Sequence, residues 1–152
     1  MRKPKPNKTP RGAESGLAGL AEEHIFPVRV YYEDTDAGGV VYYANYLRFA
    51  ERARTEMLRQ LGIESSKLMA EEGVAFAVRH CAADYRRSAR LDDQLEVRTR
   101  LIDIGGASLD MEQRIVNAED GIEAVRLVLT LACMTTAGKA ARIPADVRRR
   151  LE

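Results

Sequence analysis

Tyr43-Ala44-Asn45-Tyr46-Leu47-Arg48-Phe49-Ala50-Glu51-Arg52-Ala53-Arg54-Thr55-Glu56-Met57-Leu58-Arg59-Gln60-Leu61 is the stretch that decides the fold. Tyr46, Leu47, Ala50, Ala53, Met57 and Leu61 recur at helical spacing, while Arg48, Glu51, Arg52, Glu56 and Arg59 form a polar stripe. This is the pattern of one long helix with a single apolar face, ended by Gly62. Outward toward the N-terminus, Phe26, Val28, Val30 and Tyr32 alternate with Pro27, Arg29 and Tyr31, which predicts a half-buried strand ending at Glu33-Asp34. On this reading Tyr32 points to the helix side and Tyr31 away from it.

Outward toward the C-terminus, a short helix is predicted over 65–71. Four strands follow Gly73, over 74–85, 95–101, 108–116 and 122–135. The last is almost wholly apolar and is expected in the interior of the sheet. Asn117 to Gly121, ending in Asp120-Gly121, reads as a hairpin turn. Short links favour antiparallel pairing. The order strand, long helix, four strands predicts an α+β domain in which a sheet of about five strands curls around one central helix. Such a sheet keeps an open edge, so self-association that extends it is expected.

The chain has 152 residues, one domain's worth, and 45% of them are hydrophobic, enough for a single core. A formal charge of +1, from 24 basic and 23 acidic residues, gives no reason to expect a nucleic-acid or membrane partner through bulk electrostatics. Residues 1–22 hold Pro4, Pro6 and Pro10 among Arg2, Lys3, Lys5, Lys8 and Arg11 and predict a disordered basic tail before a domain over 23–152. Leu17 to Ala21 is too short for a signal core or a membrane span. Cys81 and Cys133 sit far apart in apolar runs and are expected as buried free thiols, which suits the cytoplasm. His24 and His80 have no ligand-type partner at metal spacing, so no metal site is expected.

Chemistry concentrates in Tyr31-Tyr32-Glu33-Asp34-Thr35-Asp36-Ala37-Gly38-Gly39-Val40-Val41-Tyr42-Tyr43. Three acids precede a diglycine and a helix start. Glycines admit a ligand close to the backbone, a helix start offers unpaired N–H groups for developing negative charge, and a nearby carboxylate can activate water. Asp and Gly before a helix are also ordinary capping and turn residues. Spacing alone shows a loop poised before a helix and leaves both readings open.

The stretch Val28 to Tyr42, continued by Tyr46 and Glu51-Arg52-Ala53-Arg54-Thr55-Glu56, closely resembles the Tol-Pal-associated (YbgC-type) acyl-CoA thioesterases of the 4-hydroxybenzoyl-CoA thioesterase family. Tyr85, Ala89-Arg90-Leu91-Asp92-Asp93 and Gln113 to Ala118 extend the resemblance from about Phe26 to about Pro144. It implies a hotdog fold, an antiparallel sheet wrapped around a long helix, with the active site at a dimer interface and dimers often paired into homotetramers. It also implies hydrolysis of acyl-CoA to free acid and coenzyme A without a cofactor. Asp36 takes the place of the catalytic aspartate, and the backbone N–H of Tyr43 that of the donor polarising the thioester carbonyl.

The YbgC-type group usually carries a histidine where this chain has Tyr43. An aromatic residue there resembles the 4-hydroxybenzoyl-CoA enzymes instead. Two alternatives follow: an aryl-CoA or acyl-carrier-protein thioesterase, and a non-catalytic subunit that binds acyl-CoA. Tyr32 is a candidate hydrogen-bond partner near the carboxylate, Asp34 a brace for the loop, and Gly39 and Val40 substrate-contacting backbone. Arg86, Arg87 and Arg90 are candidates for the phosphates of coenzyme A. Glu51 and Arg54 read as a surface or subunit-contact pair.

Overall fold

A computed structural model describes residues 22–152, so of the expected basic tail only Glu22 falls within the described residues. The elements run β1 (His24–Arg29), α1 (Asn45–Gln60), α2 (Ser65–Glu72), β2 (Val74–Tyr85), β3 (Gln94–Ile104), β4 (Ser108–Asn117), β5 (Glu123–Thr135) and α3 (Ala145–Leu151). The five strands form one antiparallel sheet in the order β1-β3-β4-β5-β2. β3, β4 and β5 are a meander. β2 does not pair with its successor β3; it lies beyond β5, where its outer edge has no neighbouring strand among the described residues.

Alternation in β3 and β4 buries Leu95, Val97, Leu101, Leu109, Met111 and Ile115 on the face toward α1. From β5, Val125, Leu127, Leu129, Leu131 and Cys133 join them, so that strand is interior as its composition predicts. α1 packs on β1, β3 and β4 through Tyr46, Phe49, Ala50, Ala53, Met57 and Leu58. The predicted face is thus rotated: Leu47 and Leu61 are exposed, and Phe49 and Leu58 take their places. The helix ends in a Schellman motif, with Gly62 N–H donating to Arg59 O at 2.9 Å and Ile63 N–H to Leu58 O at 2.8 Å. Gly62, at φ +81°, supplies the left-handed residue this closure requires.

Two polar side chains are fully buried in the sheet face beneath α1, and they are cross-strand partners, Thr99 and Gln113. Gln113 Nε2 donates to Thr99 Oγ1 and to the Ala50 carbonyl, both at 2.9 Å, and Gln113 Oε1 accepts from the Arg54 guanidinium at 2.9 Å. Each polar atom of the Gln113 amide therefore has a partner, as burial demands.

Two further expectations are corrected. Cys81 is exposed on β2, although Cys133 is buried. The N-terminal strand ends at Arg29, and Tyr32 falls in a 3₁₀ turn over Tyr32–Asp34, so its ring does not continue the apolar face but is 83% exposed. α3, which buries Val147 and Leu151, was not foreseen in the pattern of strands.

Candidate active site

The loop between β1 and α1 is built by its own carboxylates. Asp34 is buried, and its Oδ2 accepts the Tyr31 N–H at 2.8 Å, which turns the chain out of the strand and into the 3₁₀ turn. Asp34 also offers its carbonyl to two donors from the start of α1: Tyr42 N–H at 2.9 Å and Asn45 Nδ2 at 2.9 Å. One peptide unit thus ties the end of the strand to the mouth of the helix.

Between these ties the chain makes a small hairpin, in which Thr35 bridges Val41 and Asp36 N–H donates to Val40 O at 2.9 Å. Its tip is Asp36-Ala37-Gly38-Gly39, closed by Gly39 N–H to Asp36 O at 3.0 Å, with Gly39 at φ +77°. The Asp36 side chain is exposed, and its Oδ1 accepts the Gly38 N–H at 2.8 Å. A Cβ at position 38 would stand 3.2 Å from that oxygen, so the diglycine lets the carboxylate lie close over the turn. The hairpin is held to the loop after β2 by Val41 N–H to Ala89 O at 2.9 Å, and Ala89 N–H donates to the Tyr46 hydroxyl at 2.9 Å.

Neither Asp34 nor Asp36 caps α1. The residue before the helix is Ala44, at φ −68° and ψ −22°, and no side chain closes the end. Asn45 N–H donates to Tyr42 O at 2.8 Å, which makes Tyr43 and Ala44 the two central residues of a turn leading into the helix. Among the described residues the N–H groups of Tyr43 and Ala44 have no acceptor. They are open donors at the positive end of a helix of 16 residues.

An aromatic chain lines the same mouth. Tyr42 and Tyr43 ring centroids lie 4.9 Å apart, Tyr43 and Tyr85 6.1 Å, Tyr85 and Tyr46 6.0 Å, and Tyr46 and Phe49 6.3 Å. Burial raises the phenols of Tyr46 and Tyr85 above their ordinary value, and the hydrogen bond from Ala89 N–H partly offsets this for Tyr46. A hydrogen bond with Tyr43 raises that of Tyr42. Val41, Tyr43, Tyr46, Tyr85, Arg86, Arg87 and Ser88 enclose a cavity of about 220 Å³.

Of the candidate site residues, Asp36, Gly39, Val40 and Tyr43 share this hairpin-and-helix unit. Tyr32 stands apart from it, contributing its carbonyl to Thr35 and exposing its ring. Arg86 and Arg87 rim the aromatic cavity but are each engaged by a carboxylate, Glu123 at 2.8 Å and Asp120 at 2.7 Å. Arg90 has no carboxylate within ion-pair distance among the described residues. Asn45 and Tyr46 were not singled out as site residues; the polar residue at the first helical position beside the diglycine loop was the available signal for Asn45.

The fold and this loop define a class. Residues 30–151 match the family model of the thioesterase-like superfamily, and the chain belongs to that family. More narrowly, it is 59% identical over 95 residues, 62% of this chain and 70% of the relative, to a protein of Escherichia coli named acyl-CoA thioester hydrolase YbgC. It is 55% identical over 91 residues, 60% of this chain and 67% of the relative, to the acyl-CoA thioesterase YbgC of Haemophilus influenzae. Among solved structures, a probable thioesterase from Bartonella henselae superposes with a TM-score of 0.77 at 39% identity, covering 81% of this chain and all of that one. The fold is the hotdog fold.

Proposed function

We propose that this chain hydrolyses acyl-CoA thioesters to a free acid and coenzyme A. Asp36 acts as the base that takes a proton from attacking water, and the Tyr43 N–H receives the charge that develops on the carbonyl oxygen. The carbon–sulfur bond then breaks, the water oxygen stays with the acid, and the departing thiolate takes up the proton that Asp36 removed from the water. The observation that carries this reading is the joint held by the Asp34 carbonyl: it fastens the hairpin bearing Asp36 to the uncapped helix mouth, so carboxylate and donor move as one unit. Preorganised donors of this kind each contribute on the order of a hundredfold or more to turnover. Asp36→Asn should remain folded and release thiol at least about a hundredfold more slowly; near-normal release would remove Asp36 from the reaction.

The aromatic chain Tyr42–Tyr43–Tyr85–Tyr46 favours a second reading of the same chemistry, an aryl-CoA substrate stacked against Tyr43 or Tyr85. A panel of short, long and aromatic acyl-CoAs separates the two by kcat/KM. The proposal includes a homo-oligomer, a dimer or a tetramer built from dimers, formed where the bare edge of β2 extends the sheet of a second copy. It also includes a cytoplasmic setting, which the free thiols of Cys81 and Cys133 support. Association with the Tol-Pal system rests on the sequence resemblance alone.

A further inference from the structure

The cavity of about 220 Å³ beside the helix mouth opens between the rings of Tyr43 and Tyr85, which are 59% and 48% exposed, and its floor is Tyr46, only 3% exposed. Tyr43 and Tyr46 stand three positions apart, about one turn of chain. Each packs against the Tyr85 ring, with centroids at 6.1 and 6.0 Å. The residue that offers its N–H to the thioester carbonyl thus also walls this cavity, which places the cavity within reach of the acyl group.

The hydroxyl of Tyr46 is only half used. Its oxygen accepts the Ala89 N–H at 2.9 Å in a buried contact, but its own proton has no acceptor among the described residues. Arg87 and Ser88, immediately before Ala89 in the chain, line the cavity, so the hydroxyl end of Tyr46 lies at the cavity wall. Burial raises the Tyr46 phenol above its ordinary value, the Ala89 N–H offsets part of this and the Asp93 charge adds to it, so the group is a protonated donor at neutral pH. Asp93 does not take that proton: its Oδ2 accepts Arg90 N–H at 2.9 Å, and no hydrogen bond joins it to the hydroxyl.

A buried donor without an acceptor is costly, and such a group marks a place where a ligand or a water completes the bond. With its oxygen already taken by Ala89, the hydroxyl complements an oxygen that accepts and does not donate. A ketone fits this need, because it brings no proton of its own, whereas a hydroxyl substituent would require a second partner in an aromatic cavity. A plain alkyl chain displaces any water from the donor and returns nothing to it. Space is sufficient, since a cavity of about 150 Å³ already holds a benzene ring.

We propose that Tyr46 is a specificity-determining residue that donates its hydroxyl proton to an oxo group on the acyl chain, and that short oxoacyl-CoA thioesters are the substrate class this cavity selects. The inference rests on the hydrolytic reading above and names the acyl group that reading leaves open. Discrimination comes mainly from the plain acyl chain, which leaves the buried donor unpaired.

The test compares 3-oxobutanoyl-CoA with butanoyl-CoA, and 4-oxopentanoyl-CoA with pentanoyl-CoA, by thiol release from the wild type and from Tyr46→Phe. An oxo group near the thioester alters intrinsic reactivity, and the variant leaves Ala89 N–H unpaired, but both effects cancel when the ratio of kcat/KM within a pair is compared between the two proteins. In at least one pair the ratio of oxo to plain substrate should fall about fivefold or more in Tyr46→Phe. A residue that only holds the loop would slow both members of a pair alike. Ratios that stay within about twofold of wild type for both pairs would overturn the inference and leave Tyr46 as a brace for Ala89. Should Tyr46→Phe fail to fold, the wild type decides through competitive inhibition by 4-oxopentanoyl and pentanoyl analogues in which a methylene replaces the thioester sulfur. The oxo analogue should bind about fivefold or more tightly, and equal inhibition constants would refute the donor. Release from the plain thioesters with unmoved ratios removes this inference and leaves hydrolysis standing, whereas no release from any of these substrates removes hydrolysis and the inference with it.

Discussion

Asn45→Asp isolates the joint between the hairpin and the helix with almost no change of shape. In the native chain Asn45 Nδ2 donates to the Asp34 carbonyl at 2.9 Å, and that carbonyl also accepts Tyr42 N–H at 2.9 Å. Replacing the amide by a carboxylate turns a donor into an acceptor facing an acceptor. The carbonyl keeps its second partner, so no buried group is orphaned, and the loss is one half-buried hydrogen bond of about 0.5–1.5 kcal/mol plus a repulsion. At the first position of α1 the new negative charge gains about 0.3–1 kcal/mol from the helix dipole, which offsets part of it. The melting temperature should therefore fall by no more than about 3–5 °C. Turnover should suffer more, because a displacement of about 1 Å between reacting groups costs on the order of a hundredfold. The expected result is a kcat reduced about tenfold to a hundredfold, with KM changed little, in a thiol-release assay on a protein with native circular dichroism. Asn45→Ala should behave alike despite lacking the charge. Both variants retaining wild-type kcat would show that Asp36 and the helix mouth do not depend on this joint.

Tyr43→Pro removes the proposed oxyanion donor where proline is tolerated, as the first central residue of the turn closed by Asn45 N–H and Tyr42 O. It should lower kcat about a hundredfold or more with a native spectrum, and unchanged kcat would move the donor elsewhere. Tyr43→Ala keeps the N–H and removes the ring; aliphatic turnover should persist while any preference for aromatic acyl groups falls, and an undiminished aryl preference would detach the ring from specificity. Phe49→Ala empties the middle of the helix–sheet contact and should cost about 3–5 kcal/mol in denaturant titration; a loss under about 1 kcal/mol would mean that α1 is not seated as described.

The helix, the strand count and the antiparallel sheet were legible because each rests on periodicity over ten or so residues. β2 was found at its observed bounds, yet its place was not, because pairing with β5 rather than β3 is decided by the crossover after Tyr85 and leaves no local mark. Cys81 misled for a related reason: an apolar run does not say whether the helix covers it, and α1 lies over β1, β3 and β4 rather than over β2. Tyr32 failed differently. The alternation through Val30 is real, but the Asp34 carboxylate captures Tyr31 N–H three residues upstream, and that hydrogen bond breaks the strand before the pattern ends. The rotation of the α1 face from Leu47 toward Phe49 follows from the sheet meeting only one side of the helix. In the loop, the acids and glycines were visible as types. Asp34 reads as the brace, and its burial and its bond from Tyr31 N–H agree with that, while the exposure of Asp36 left no mark in the sequence.

The most direct test is a crystal structure of the complex with an acyl-CoA analogue in which a methylene replaces the thioester sulfur. The ketone oxygen should lie about 2.7–3.1 Å from the Tyr43 nitrogen, with the Asp36 carboxylate directed at the face of the carbonyl carbon. A carbonyl bound away from the start of α1, or Asp36 turned from it in the bound state, would contradict the account.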